Sequence, residues 1–261
     1  MNIGVVGGAG YVGLITGLGL AEIGHRVINV DLDEGRVGQL NSGHSPIYEE
    51  GIDSLLKKNL ATGSIQFTTR LAEAIVPSDV IFIAVGTPSG LDGQADLSQV
   101  IQAVEGLVQH ITNYKVVVLK STVPVGTVEL VRTLLSRSKI EGEDFDIVAN
   151  PEFLREGKGL KDFFYPDRIV IGTHAEKPQS IMRELYRPII QREVSWESNE
   201  SADPGSGHIP LIETDITSAQ MIKYASNAFL ATRLSFINEI AGLTERVGAD
   251  IREVALGMGY D

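Results

Sequence analysis

Five short clusters combine small, polar and charged residues of the kinds that hold phosphates or move protons, and each closes an apolar run. They are Gly8-Ala9-Gly10-Tyr11-Val12-Gly13, Asp31, Gly86-Thr87-Pro88, Ser121-Thr122-Val123-Pro124 and Asn150-Pro151-Glu152. In the first, glycines spaced G-x-G-x-x-G between a strand and a helix allow a tight turn and close backbone approach to a pyrophosphate. The helix amino end then meets that charge with unpaired N–H groups. Asp31 closes the next strand, where a carboxylate accepts hydrogen bonds from ribose hydroxyls and repels a 2′-phosphate, so NAD is favoured over NADP. Arg36, a cation a few residues on, works against that preference.

The remaining clusters carry two readings each. Ser121 and Thr122 could hold a reactive water or a substrate oxygen, or cap the next helix. Gly86-Thr87-Pro88 could touch a ligand or simply turn the chain. Asn150-Pro151 reads as a helix start, with Asn as N-cap and Pro at the first helical position. Glu152 and Glu156 would then share a face of that helix, as a general base and a water-orienting group or as solvated acids favoured by the helix dipole. Lys223 and Asn227 stand one helical turn apart amid Met221, Ile222, Ala225, Ala228 and Phe229. An ammonium and an amide aimed at a developing alkoxide would stabilise it. The plainer reading is a lysine whose apolar stem is covered while its head reaches water.

Elements that would position these residues follow from periodicity. Apolar runs at 2–6, 26–30, 79–85, 115–120, 145–149 and 168–171 read as strands. Helical spacing covers 11–23, 97–110, 127–138 and 177–186. Strands alternating with helices predict an α/β fold, a Rossmann-like doubly wound and mostly parallel sheet. Its strand ends would gather the clusters along one edge. Residues 197–208 are polar and turn-rich and read as an inserted surface loop. Residues 215–247 contain no Gly or Pro before Gly242 and predict one long central helix, suited to joining domains or pairing subunits. The expected organisation is an NAD-binding domain over 1–209 and a central helical region over 210–261. After a last helix at 251–256 the chain stops in Gly257-Met258-Gly259-Tyr260-Asp261, which suggests that a further domain is absent.

Composition narrows the function classes. The 261 residues are 43% hydrophobic, enough for a full core, and the net charge of −12 argues against a nucleic-acid partner. An anionic ligand would need local cations and backbone amides to outweigh that charge. No apolar run approaches the roughly 18 residues of a membrane span. With residues 1–8 already read as strand, no signal peptide is expected and the cytoplasm is the expected compartment. There is no Cys, hence no disulfide and no thiolate metal site, and no metal is expected.

Several runs occur in order along nearly the whole chain. They are Gly10-Tyr11-Val12-Gly13-Leu14, Ser45-Pro46-Ile47-Tyr48-Glu49, and Val85-Gly86-Thr87-Pro88 with Asp92-Gly93 and Ala95-Asp96-Leu97. Ser121-Thr122-Val123-Pro124-Val125-Gly126-Thr127, Asn150-Pro151-Glu152-Phe153-Leu154-Arg155-Glu156-Gly157, Pro166-Asp167-Arg168 and Lys223-Tyr224-Ala225-Ser226-Asn227-Ala228-Phe229 continue them. Together they resemble the UDP-glucose/GDP-mannose dehydrogenase family. The resemblance implies NAD-dependent oxidation of a nucleotide-sugar C6 alcohol to a carboxylate in two steps, with UDP-glucose the first choice of substrate and a homodimer through the long helix. It implies that Thr122 holds a water, that Glu152 is the general acid/base and that Glu156 belongs to a later thioester step. Lys223 and Asn227 would stabilise the sugar oxyanion, and Phe153, Leu154 and Arg155 would line the sugar pocket. The implied cofactor contacts are Gly8, Gly10, Tyr11, Val12 and Gly13; Asp31 and Arg36; Gly86, Thr87 and Pro88; and Ser121, Thr122 and Glu156. Two departures stand out. The first loop has an additional glycine, Gly7, and the family's second domain, with its catalytic cysteine, has no counterpart before Asp261. The full two-step oxidation is therefore not expected of this chain alone.

Overall fold

Short apolar strands separated by helices bury both of their faces only in a parallel sheet layered with helices. The computed structural model has that arrangement and describes residues 1–194, 196 and 207–260. In chain order the elements are β1 (Asn2–Val6), α1 (Tyr11–Glu22), β2 (Arg26–Val30), α2 (Glu34–Asn41), α3 (Ile52–Thr62), β3 (Ile65–Thr68), α4 (Leu71–Ile75), β4 (Val80–Ile83) and α5 (Ser98–His110). They continue with β5 (Lys115–Leu119), α6 (Thr127–Leu135), β6 (Phe145–Ala149), α7 (Gly159–Phe164), β7 (Ile169–Gly172), α8 (Glu176–Ile190), β8 (Leu211–Thr214), α9 (Ile216–Val247) and α10 (Ile251–Met258). One sheet has the order β3-β2-β1-β4-β5-β6-β7-β8. Its first six strands are parallel; β7 meets β6 antiparallel through the single pair Ala149–Gly172, and β8 runs parallel to β7.

Every residue of β4, β5, β6 and β7 is buried. The helix α1 is buried continuously from Gly13 to Ala21. Gly19 permits the close packing of α7 on it, since a Cβ there would stand 2.2 Å from the Phe163 ring. At the amino end of β5, Lys115 is fully buried and donates to the carbonyls of Val76 (3.0 Å) and Ser78. Burial pushes its pKa below the ordinary lysine value.

The chain divides into two compact units, 1–220 and 221–261. The sheet of the first extends past residue 209, because β8 adds to β7. The polar segment 197–208 lies outside the described residues except for Gly207 and His208. One expectation is corrected: residues 150–156 form no helix, and the next helix, α7, begins only at Gly159. The Asn150 side chain turns inward instead of capping, donating to the Val170 carbonyl (2.7 Å) and accepting from Lys120 Nζ (3.1 Å) and the Tyr186 hydroxyl (2.7 Å). Glu152 accepts from the Leu154 amide (2.6 Å), a local turn that competes with a helical first turn. No helix among the described residues is long and apolar enough to cross a membrane.

Candidate active site

Five parallel strands end level with one another. Val6 pairs with Val30 on one side and Ile83 on the other, Ile83 pairs with Leu119, and Leu119 with Ala149. The residues just beyond those ends are therefore neighbours along one edge of the sheet. The strand order reverses between β1 and β4, the point at which open α/β sheets receive ligands.

Three glycines of the first loop answer to the protein's own packing. Gly7 has φ 81° and takes the tight turn, and a Cβ on it would lie 2.7 Å from the Ala84 carbonyl oxygen. A Cβ on Gly8 would lie 2.5 Å from that of Asn29, and one on Gly13 only 2.1 Å from the Gly7 carbonyl oxygen. Gly10 differs. It precedes α1 with φ −77°, and the nearest atom to a Cβ there is 3.4 Å away. The chain does not demand glycine at that position, whereas a phosphate brought against the backbone does. No side chain caps α1, so its first-turn amides are left for such a ligand. Asp31 stands at the lip of this loop, accepting from the Ala9 amide (2.9 Å) and the Asp33 amide (3.2 Å). Arg36 lies in α2 and pairs with Asp33 at 3.4 Å.

Beyond β4 and β5, hydroxyls stitch two loops together. Thr87 donates to the Thr122 carbonyl (2.7 Å) and Ser121 to the Val85 carbonyl (2.7 Å). Gly86 and Pro88 are exposed beside them. Thr122 is half-buried. Beyond β6, Glu152, Phe153 and Leu154 are half-buried and Arg155 and Glu156 exposed. The Arg155 guanidinium is held by Asp162 through Nε (3.0 Å) and Nη2 (2.5 Å), and the Phe153 ring lies under Arg168 at 3.7 Å. In the second unit Lys223 is 7% exposed while Asn227, one turn on, is exposed. No three His, Asp or Glu residues cluster to hold a metal among the described residues.

Two supporting residues escaped sequence reasoning. Asn29 is buried and donates from Nδ2 to the Gly8 carbonyl (2.8 Å), fixing the glycine loop from below. Lys120 is buried and joins the ends of β5 and β6 through Asn150. A polar residue interrupting or ending an apolar strand was the available signal for both.

A glycine turn opening a helix, a carboxylate at the next strand end, and hydroxyls and carboxylates beyond the neighbouring ends define a Rossmann domain of the dehydrogenase kind. The chain belongs to the UDP-glucose/GDP-mannose dehydrogenase family, matching its NAD binding domain over residues 1–190 and its central domain over 217–261. NAD is accordingly the cofactor of the first unit, and the open position above Gly10 fits it. The chain is 47% identical to UDP-glucose 6-dehydrogenase YwqF of Bacillus subtilis (strain 168) over 261 residues, all of this chain and 55% of that protein. It is 46% identical to a UDP-glucose 6-dehydrogenase of Rhizobium meliloti (strain 1021), covering 97% of this chain and 55% of the relative. Among solved structures it resembles a GDP-mannose dehydrogenase from Pseudomonas aeruginosa, with TM-score 0.89 and 35% identity over 100% of this chain and 57% of that one. It also resembles a UDP-glucose dehydrogenase from Pyrobaculum islandicum, with TM-score 0.87 and 38% identity over 99% and 56% of the two chains. The chain thus spans about half the length of these relatives.

Proposed function

We propose that this chain carries the NAD-binding domain, over 1–209, and the central region, over 210–261, of a cytoplasmic UDP-glucose 6-dehydrogenase that converts the C6 alcohol of UDP-glucose to the carboxylate of UDP-glucuronate. The observation that carries this reading is the level ending of β2, β1, β4, β5 and β6, which sets the glycine turn and Asp31 on one sheet edge with Thr122 and Glu152. The UDP-glucose 6-dehydrogenases at 46–47% identity support the choice of substrate. NAD, when bound, supplies the hydride acceptor. Tyr11, Val12 and Gly13 offer first-turn amides to its pyrophosphate, Gly8 and Gly10 shape the turn that lets it approach, and Asp31 holds the adenosine ribose. The loops carrying Gly86, Thr87, Pro88 and Ser121 complete the cofactor wall.

Thr122 keeps a water in place, and Glu152 exchanges a proton with the sugar's C6 oxygen or with that water. Glu156 serves the later thioester step. Phe153, Leu154 and Arg155 shape the sugar pocket, the arginine held at its angle by Asp162. Lys223 and Asn227 offer an ammonium and an amide to the developing oxyanion. The thioester step needs a thiolate, which these 261 residues do not contain. NAD binding without efficient UDP-glucuronate formation is therefore expected of them alone.

Titration calorimetry of the folded chain tests the reading. Saturable binding of NAD, with NADP weaker by about tenfold or more (a difference of ~1.4 kcal/mol), is the expected result. A folded chain without saturable NAD binding overturns it. Adding UDP-glucose, GDP-mannose and UDP-N-acetyl sugars in turn then identifies the substrate, and a preference for another sugar would replace UDP-glucose while leaving the cofactor site intact.

A further inference from the structure

Glu49 is 4% exposed, in the 42–51 segment between α2 and α3. A carboxylate taken out of water is tolerated only when its oxygens are hydrogen-bonded. Oε1 of Glu49 accepts from the Tyr11 hydroxyl (2.5 Å) and the Gly157 amide (2.7 Å), and Oε2 accepts from the Gly159 amide (2.9 Å). The Tyr11 hydroxyl also lies 2.8 Å from the Arg155 carbonyl oxygen. A phenol has one proton, so Glu49 and Arg155 share a single donor and hold the ring between them. Burial, and then the hydrogen bond to Glu49, push the Tyr11 pKa far above the ordinary phenol value, so the donor keeps its proton.

The surrounding backbone is shaped to this carboxylate. Gly157 has φ 83°, which turns its amide inward, and a Cβ on Gly159 would stand 2.5 Å from the Tyr11 hydroxyl. Three stretches remote in sequence thus meet at one side chain. The first is the opening turn of α1, whose amides face the cofactor. The last is the 151–159 segment, which carries Glu152 and Glu156.

We propose that Glu49 is a positioning residue that couples the two halves of the site, so that cofactor binding at α1 and ordering of the 151–159 segment strengthen each other. This rests on the reading that NAD sits at the first turn of α1 and that Glu152 and Glu156 act on the substrate. Because coupling between two binding or ordering equilibria is reciprocal, it can be read on either side without turnover.

The experiment is amide hydrogen exchange across 151–159 in the full chain, with and without saturating NAD, for the wild type, Glu49→Ala, Glu49→Gln and Tyr11→Phe. In the wild type, NAD slows exchange at Gly157 and Gly159 several-fold. In Glu49→Ala both amides exchange at least tenfold faster and no longer respond to NAD, while β1, β4 and β5 keep their protection. NAD affinity falls by the same factor as the lost response. Glu49→Gln restores part of the response, since its amide oxygen still accepts a backbone N–H and its NH2 can donate to the Tyr11 oxygen. If Glu49→Ala does not fold, Tyr11→Phe carries the test: it removes only the phenol arm and is expected to weaken the NAD response while basal protection of Gly157 and Gly159 persists. An equal NAD response in the wild type and the variants overturns the coupling alone. A folded wild type without saturable NAD binding overturns both the coupling and the proposed function.

Discussion

Gly10 and Gly13 sit in the same turn, yet the atoms around them differ. A methyl group on Gly13 would meet the Gly7 carbonyl oxygen at 2.1 Å, and that oxygen belongs to backbone that cannot step aside. One on Gly10 meets nothing nearer than 3.4 Å. Gly13→Ala is therefore expected to destabilise the fold by about 1–3 kcal/mol, a fall of several degrees in Tm at roughly 2–4 °C per kcal/mol. Gly10→Ala should leave Tm nearly unchanged and weaken NAD binding by about tenfold or more, since the added carbon occupies the space where a phosphate approaches. Differential scanning calorimetry and NAD titration of the two variants separate these roles. Equal losses of Tm in both would mean that Gly10 serves packing after all.

Between elements, the weak seam of the sheet is the junction of β6 and β7, where a single residue pair joins antiparallel strands. Asn150 reinforces it, reaching the Val170 carbonyl on β7, the Tyr186 hydroxyl on α8 and Lys120 beyond β5. Removing that side chain leaves a buried hydroxyl and a buried carbonyl short of a partner, each costing on the order of 1–3 kcal/mol, and takes an acceptor from Lys120. Asn150→Ala should lower the unfolding free energy by about 2–4 kcal/mol, and Tyr186→Phe, which deletes one hydrogen bond cleanly, by about 1 kcal/mol. Urea denaturation of both variants checks the ranking; a milder effect for Asn150→Ala would show that Asn150 does not hold the seam.

At the scale of the molecule, α9 keeps much apolar surface in contact with solvent. Phe229, Phe236 and Leu243 recur at seven-residue intervals with Val247 one turn further, and all four are at least half exposed. Exposed apolar stripes of that extent mark interaction surfaces, and the proposed occupant is a second copy of this chain, pairing through α9 as the family resemblance implies. Sedimentation velocity should show a dimer, and Phe229→Lys with Phe236→Lys should shift it to monomer without loss of helicity. A monomeric wild type at micromolar concentrations would refute the pairing.

How far the amino-acid sequence alone reached depended on the range of the interactions involved. The spacing of Gly8, Gly10 and Gly13, the apolar runs of the parallel strands and the Gly- and Pro-free stretch before Gly242 are local patterns, and local backbone preference was enough to read them. Residues 150–156 read as a helix on the same local grounds, because Asn-Pro-Glu is a good helix start. The structure overrode that reading through partners far away in the chain, as Val170 and Tyr186 draw Asn150 inward and Glu49 captures the amides of Gly157 and Gly159. Asn29 and Lys120 showed in the sequence only as polar residues within or at the end of an apolar strand; their value lies in which carbonyl or amide stands opposite, and periodicity carries no information about that. Chain-local propensities determined the five level strand ends and the long helix, but β3, β8 and the helices α2, α3 and α4 were not read from them. Only the packed molecule added those elements and decided how the loops beyond the strand ends are held, since buried polar groups take whatever partner the tertiary fold delivers.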